Sequence, residues 1–195
     1  MKFRDTAEPA LPSIQIEAKI GEGNFGQVFR VTSDGRQSAL KLINLPRRDG
    51  KPKYIDEEFN IQSDTNHPNI IAVYKMGSFD FRRMNLFGIY LLMELGGETL
   101  QDKAEKLLSG PEDEYGYFTE DFRLETILLH IAQALDYLGD KMLIHQDIKP
   151  QNILEGFSGD SYKLADFGLS ARTNGRGYLE ATSRMGGTTI YMIVI

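Results

Sequence analysis

The chain has 195 residues, 41% hydrophobic and 26% charged, with a formal net charge of −6 and no cysteine. That composition is globular, not disordered or collagen-like, and it excludes disulfides and thiolate metal sites. The acidic balance argues against a sequence-independent grip on nucleic-acid phosphates, which needs a basic face.

No apolar run approaches the roughly 20 residues that span a bilayer, and the opening MKFRDTAEPALP lacks the apolar core of a secretion signal. The expectation is an intracellular protein, cytoplasmic or nuclear, with no membrane span and no nucleic-acid partner. Composition leaves the oligomeric state open.

Residues 1–12 carry two prolines and no period, which reads as a flexible lead-in. Ile14, Ile16, Ala18 and Ile20 alternate with polar residues, predicting a half-buried strand, and residues 27–31 predict a second after a glycine-rich turn. Asp34-Gly35 marks the next turn, and the apolar stretch over 38–45 predicts a third strand, ended by Pro46. Residues 53–65 read as a helix stopped by His67-Pro68, followed by strands over 70–74 and 87–94.

After Gly96-Gly97 the pattern turns helical, with Leu128, Ile131, Leu135, Leu138 and Met142 spaced for one buried face. An acidic insertion, PEDEYGYFTED, interrupts this part. The lobe boundary is expected near residue 95, giving an amino-terminal lobe over 13–95 and a partial carboxy-terminal lobe over 96–195.

Gly21-Glu22-Gly23-Asn24-Phe25-Gly26 fits G-x-G-x-x-G, in which glycines let backbone N–H groups approach a polyphosphate. A dinucleotide-binding fold wants a helix after the third glycine, whereas Gln27-Val28-Phe29-Arg30-Val31 alternates as a strand does. On the third strand Lys41 shares a face with Ala39 and Ile43, an ammonium among small and apolar neighbours. Further on stands Ile144-His145-Gln146-Asp147-Ile148-Lys149-Pro150-Gln151-Asn152-Ile153-Leu154. Chemically, Asp147 supplies a carboxylate able to orient a hydroxyl and accept its proton, and Asn152 a neutral oxygen ligand. A short hairpin around Ser158-Gly159-Asp160 is expected to return the chain to Asp166-Phe167-Gly168 near Asn152.

These segments in this order resemble the eukaryotic-type protein kinase family over residues 14–192: the glycine loop continued by Val28, the strand lysine, the H-R-D-x-x-x-x-N loop with Gln146 in place of arginine, and D-F-G. The resemblance implies an α+β, two-lobe fold: a five-stranded antiparallel sheet plus a helix, then an incomplete, mainly helical lobe. It implies an enzyme that transfers the γ-phosphate of ATP to protein substrates, and Lys149, two residues after Asp147, places it with the serine/threonine branch. It also implies roles by residue. Gly21, Gly23 and Gly26 cover the phosphates, and Lys41 holds the α- and β-phosphates. Glu58, counted back from His67-Pro68-Asn69-Ile70, orients that lysine, with Glu57 the alternative. Asn152 and Asp166 hold Mg2+, and Asp147 with Lys149 serves the transfer.

The resemblance also implies that the hinge Met93-Glu94-Leu95-Gly96-Gly97 offers backbone groups to adenine, with Val28, Ala39 and Leu154 expected to close over and under the ring. Phe167 is expected behind a structural His145. Gln146 removes the usual cation for an activation-segment phosphate, leaving Arg172, Arg176 or Arg184 to serve Thr182 or Ser183. The end, Tyr191-Met192 followed by Ile193-Val194-Ile195, departs from A-P-E and reads as a truncation at the end of the activation segment. The alternative is therefore an ATP-binding regulatory module, weak or inactive in transfer.

Overall fold

Five strands, β1 (Gln15–Gly23), β2 (Gly26–Ser33), β3 (Arg36–Asn44), β4 (Val73–Phe81) and β5 (Leu86–Met93), pair antiparallel in the order β1-β2-β3-β5-β4. The computed structural model describes residues 14–23, 26–45, 61, 64–81, 86–109 and 123–174. The tip residues Asn24 and Phe25, the acidic insertion and positions 175–195 lie outside these. So does the helix expected over 53–65, with Glu57 and Glu58, apart from Ile61 and residues 64 and 65. The chain divides into two units, Met1–Phe59 with Ala72–Leu95, and Asn60–Ile71 with Gly96–Ile195.

In the first unit the turn at Asp34-Gly35 has positive φ at both residues (49° and 76°), the conformation that twists a two-residue hairpin correctly. Register then sorts the strands into two faces. Phe29, Leu40 and Leu92 line one, packed with Ile14 and Val31, and Val28, Lys41 and Leu91 lie opposite one another on the other. Two expectations fail here. Ile20 is 48% exposed, because register shifts at Ile16/Ala18 and Lys19/Gly21 turn β1 out of its alternation. The fourth strand begins at Val73, not at residue 70. Ile70 forms an isolated bridge with Leu164, and the Ile71 amide donates to the Leu164 carbonyl (3.0 Å), so these two residues belong to the second unit.

The third motif glycine is dictated by the sheet. Gly26 has φ +125°, and a Cβ there would stand 2.1 Å from the Leu42 carbonyl oxygen. At Gly21 an added Cβ would meet only Val28, at an ordinary 3.7 Å.

The second unit holds α1 (Leu100–Ser109), α2 (Leu124–Asp140), a 3-10 turn (Pro150–Asn152) and four short strands. Of these β6 (Leu143–Ile144) pairs with β9 (Ala171–Arg172), and β7 (Ile153–Glu155) with β8 (Tyr162–Leu164), the hairpin expected around Ser158-Gly159-Asp160. Thr99 caps α1, accepting the Asp102 amide at 3.0 Å and donating to its carboxylate at 2.7 Å.

The buried stripe of α2 is Ile127, Ile131, Ala134 and Leu138, packed with Ile61, Leu164 and Phe167. Each isoleucine and leucine among them contributes about 1.5–3 kcal/mol of burial, and the Ala134 methyl about 0.8 kcal/mol. Two residues expected on that face are not there: Leu128 is 62% exposed, one position off the stripe, and Met142 is 54% exposed, beyond the helix in a left-handed conformation (φ 54°). Among the described residues no helix is long and apolar enough to cross a membrane.

His145, only 2% exposed, joins this core. Phe167 meets its ring edge-on, centroids 4.8 Å apart, as the sequence suggests. Its Nε2 lies 3.0 Å from the Ala165 carbonyl and its Nδ1 3.3 Å from the Asp147 amide. A carbonyl accepts and an amide donates, so the neutral ring with its proton on Nε2 satisfies both.

Two predictions follow from these contacts. Gly26→Ala destabilises the sheet by about 1–3 kcal/mol, the range for a strained backbone position, while Gly21→Ala changes stability by less than about 0.5 kcal/mol, as urea unfolding will register. For His145, burial holds the ring below the ordinary histidine value. The unfolded chain protonates it below about pH 6.5 and the folded chain does not, so stability is full above that pH. It falls as pH drops, by up to about 1.4 kcal/mol per unit, until the folded-state value is reached. His67, also lowered by burial, pulls the same way. Urea midpoints between pH 7.5 and 5.5 should therefore fall in the native chain and fall less steeply in His145→Gln. Equal slopes would show that His145 does not carry the effect.

Candidate active site

Lys41 is 6% exposed on β3, opposite Val28 on β2 and Leu91 on β5. Ala39, two residues earlier on the same strand, lies opposite Met93. Residues paired across an antiparallel sheet share a face, so Val28, Ala39, Lys41 and Met93 occupy one side of it. An ammonium so far from water is stable only against a negative group. The β1–β2 hairpin closes at the Gly23–Gly26 pair. Glu58 and Glu57, the two candidate partners of the lysine, lie outside the described residues.

After β5 the chain is clamped by an interaction that no local pattern announced. The Glu94 amide donates to the Ala72 carbonyl (2.8 Å), and the Glu94 carboxylate accepts the Ala72 amide (3.2 Å). Leu95, next along, is buried. Leu154 on β7 lies against Gly96, where an added Cβ would come within 2.8 Å of its Cδ1.

The catalytic-loop candidates Asp147, Lys149 and Asn152 meet within hydrogen-bonding distance. Asp147 is 4% exposed, and its Oδ2 accepts from Lys149 Nζ at 2.6 Å and from Asn152 Nδ2 at 3.0 Å. The same Nδ2 donates to the Asp147 carbonyl at 2.8 Å. Spacing explains this local closure: Pro150 starts a 3-10 turn whose Asn152 amide returns to the Lys149 carbonyl (2.9 Å).

Asp166 reaches its place through a separate set of bonds. Ala165 donates its amide to the Asn152 carbonyl (2.9 Å) and offers its own carbonyl to His145. Leu164 donates to the Asn69 carbonyl (2.8 Å), and Asn69 Nδ2 donates to the Tyr162 carbonyl (2.9 Å). Asn69 is a buried asparagine that sequence reading used only as a landmark. Its role depends on a partner 93 residues away, which leaves no periodic signal. Asp166 has φ +62° and Gln146 φ +66°, left-handed conformations held by these neighbours.

The donor set suits Mg2+ in one respect and limits it in another. Asn152 spends its Nδ2 on Asp147, which assigns its amide oxygen to any cation, and a carboxylate stands at Asp166. Among the described residues no group of three His, Cys, Asp or Glu residues can hold a metal, so the remaining ligands would be water and phosphate oxygens. Arg172 pairs with Asp64 at 3.0 Å on the surface, while Arg176, Thr182, Ser183 and Arg184 lie outside the described residues.

Comparison with known proteins identifies the family. The family model described as Protein kinase domain matches residues 14–193. The chain is 36% identical to an Aurora kinase of Saccharomyces cerevisiae over 165 residues, covering 83% of this chain and 41% of that protein. It is 33% identical to a serine/threonine-protein kinase of Drosophila melanogaster over 162 residues, 80% of this chain and 20% of that one. With Aurora kinase B of Xenopus tropicalis the identity is 31% over 166 residues, 82% of this chain and 41% of that protein. The chain thus spans less than half the length of each of these curated relatives. With the family match running from the first described strand to within two residues of the final isoleucine, the chain belongs to the protein kinase domain family.

Proposed function

We propose that this chain binds ATP with Mg2+ and transfers the γ-phosphoryl group to a serine or threonine hydroxyl of a protein substrate. The observation that carries the reading is the Asp147 carboxylate, withdrawn from water and oriented by Lys149 and Asn152 through one oxygen. A carboxylate so fixed serves to align an incoming hydroxyl and take its proton. The Lys149 ammonium, 2.6 Å away, places positive charge where the transferring phosphoryl gathers negative charge.

When bound, Mg2+ would supply positive charge that offsets the charge of the phosphates. Asn152, through its amide oxygen, and Asp166 are the residues assigned to hold it. Lys41 takes the α- and β-phosphates, oriented by Glu58 or Glu57, and Gly21, Gly23 and Gly26 shape the covering loop. Val28, Ala39, Met93 and Leu154 bound the adenine. Because the Glu94 amide and carboxylate are both engaged by Ala72, recognition through Glu94 and Leu95 falls to carbonyl and amide groups other than the Glu94 amide.

His145 touches none of the reacting groups. It positions the Asp147 amide and backs Phe167. Serine/threonine preference is supported by Lys149 and by similarity to serine/threonine-protein kinases such as that of Drosophila melanogaster.

Transfer of labelled γ-phosphate from Mg2+·ATP to a generic serine/threonine substrate tests the proposal. Asp147→Asn should lower the rate by about 100-fold or more and leave ATP affinity within about twofold, since the lost group acts in proton transfer. Asn152→Ala should weaken both, because it removes an assigned metal ligand and two hydrogen bonds to Asp147. Equal transfer by the native chain and Asp147→Asn would refute the assigned role. ATP binding without transfer by either would favour the regulatory module.

A further inference from the structure

Helix α1 has no fully buried residue in its ten positions, and at its start Leu100 packs, partly buried, against the core of the second unit, so its apolar seat is small. What attaches it is largely polar. Lys103 Nζ lies 2.6 Å from Glu155 Oε1 and 5.6 Å from the centroid of the buried Tyr162 ring. Both charged side chains are largely shielded (18% and 22% exposed), so salt screens the pair less than a surface one. At the start of the helix Thr99 bridges to Leu154.

Glu155 is also the residue through which β7 grips the segment leaving β5. Its carbonyl accepts the Gly97 amide at 2.7 Å and its amide donates to the Glu98 carbonyl at 2.9 Å. Leu154, its neighbour, packs on Gly96. One side chain on α1 thus fixes the residue that sets both the Gly96–Glu98 backbone and the place of Leu154.

We propose that Lys103 is a positioning residue for nucleotide binding: by holding Glu155 it keeps Leu154 against Gly96, in the arrangement that receives the base. The role rests on the proposed function, in which Leu154 bounds the adenine. It makes Lys103 act through Glu155 and Leu154, without touching the nucleotide. The effect therefore falls on recognition of the base and spares the phosphate-binding and transfer groups.

The test measures affinity for a fluorescent ATP analogue with Mg2+, and competition by ATP and by adenosine, in the 195-residue chain. Lys103→Met should bind ATP and adenosine more weakly by the same factor, about fivefold to tenfold, and Lys103→Arg should recover most of the loss. In phosphate transfer, the KM for ATP should rise by that factor while kcat moves by less than about twofold. If Lys103→Met does not fold, by circular dichroism, the double variant Lys103→Met/Glu155→Leu, which leaves no unpaired charge, replaces it with the same loss expected.

Native affinity in a folded variant overturns the proposal. So does a loss confined to ATP with adenosine unchanged, a fall in kcat at constant KM, or failure of arginine to restore binding. If the native chain binds neither ATP nor adenosine, it is the proposed function that fails, and this role falls with it. If the native chain binds ATP but transfers nothing, the affinities alone decide.

Discussion

A carboxylate withdrawn from water survives as an anion only while donors surround it, and the surroundings of Asp147 organise much of the second unit. Asn152 and Lys149 meet its side chain, Asn152 meets its carbonyl, and His145 meets its amide. The segment carrying Asp166 is tied to the same three-residue set through Asn152 and His145. Two non-glycine residues, Gln146 and Asp166, are held left-handed within this network, at about 1–2 kcal/mol each. The hydrogen bonds and the Phe167–His145 packing offset that cost.

The two units solve the burial problem differently. In the first, period-two alternation places apolar residues on one face of a sheet and leaves Lys41, with Val28, Ala39 and Met93, on the other. Strand register supplies the accuracy there, and Gly26 is needed because β3 approaches its backbone too closely for a Cβ. In the second, among the described residues, a helix stripe, the β7–β8 hairpin and β6 make the core, while α1 is attached through Leu100, the Lys103–Glu155 ion pair and a capped first turn.

Residues near one another in sequence were legible in advance. The turn at Asp34-Gly35 and the alternation of β2 and β3 follow from local backbone chemistry, whereas for Asp147, Lys149 and Asn152 the sequence supplied the groups but not the hydrogen bonds that join them. The packing of Phe167 on His145 was expected from the family resemblance, and its edge-on geometry comes from the structure.

What sequence alone determined is thus the set of chemical groups, the alternation of β2 and β3 and the family to which they belong. Tertiary structure decided the rest, because each remaining feature depends on a distant partner. β4 starts at Val73 because Ile70 and Ile71 are drawn to Leu164. The α2 stripe runs through Ile127 and Ala134, not Leu128 and Met142, because of where Ile61 and Phe167 pack. Glu94 is bound by Ala72, and Asn69 by Tyr162, across separations that carry no periodic trace. Hydrogen bonds between such positions are set by the closed fold, and only the closed fold reveals them.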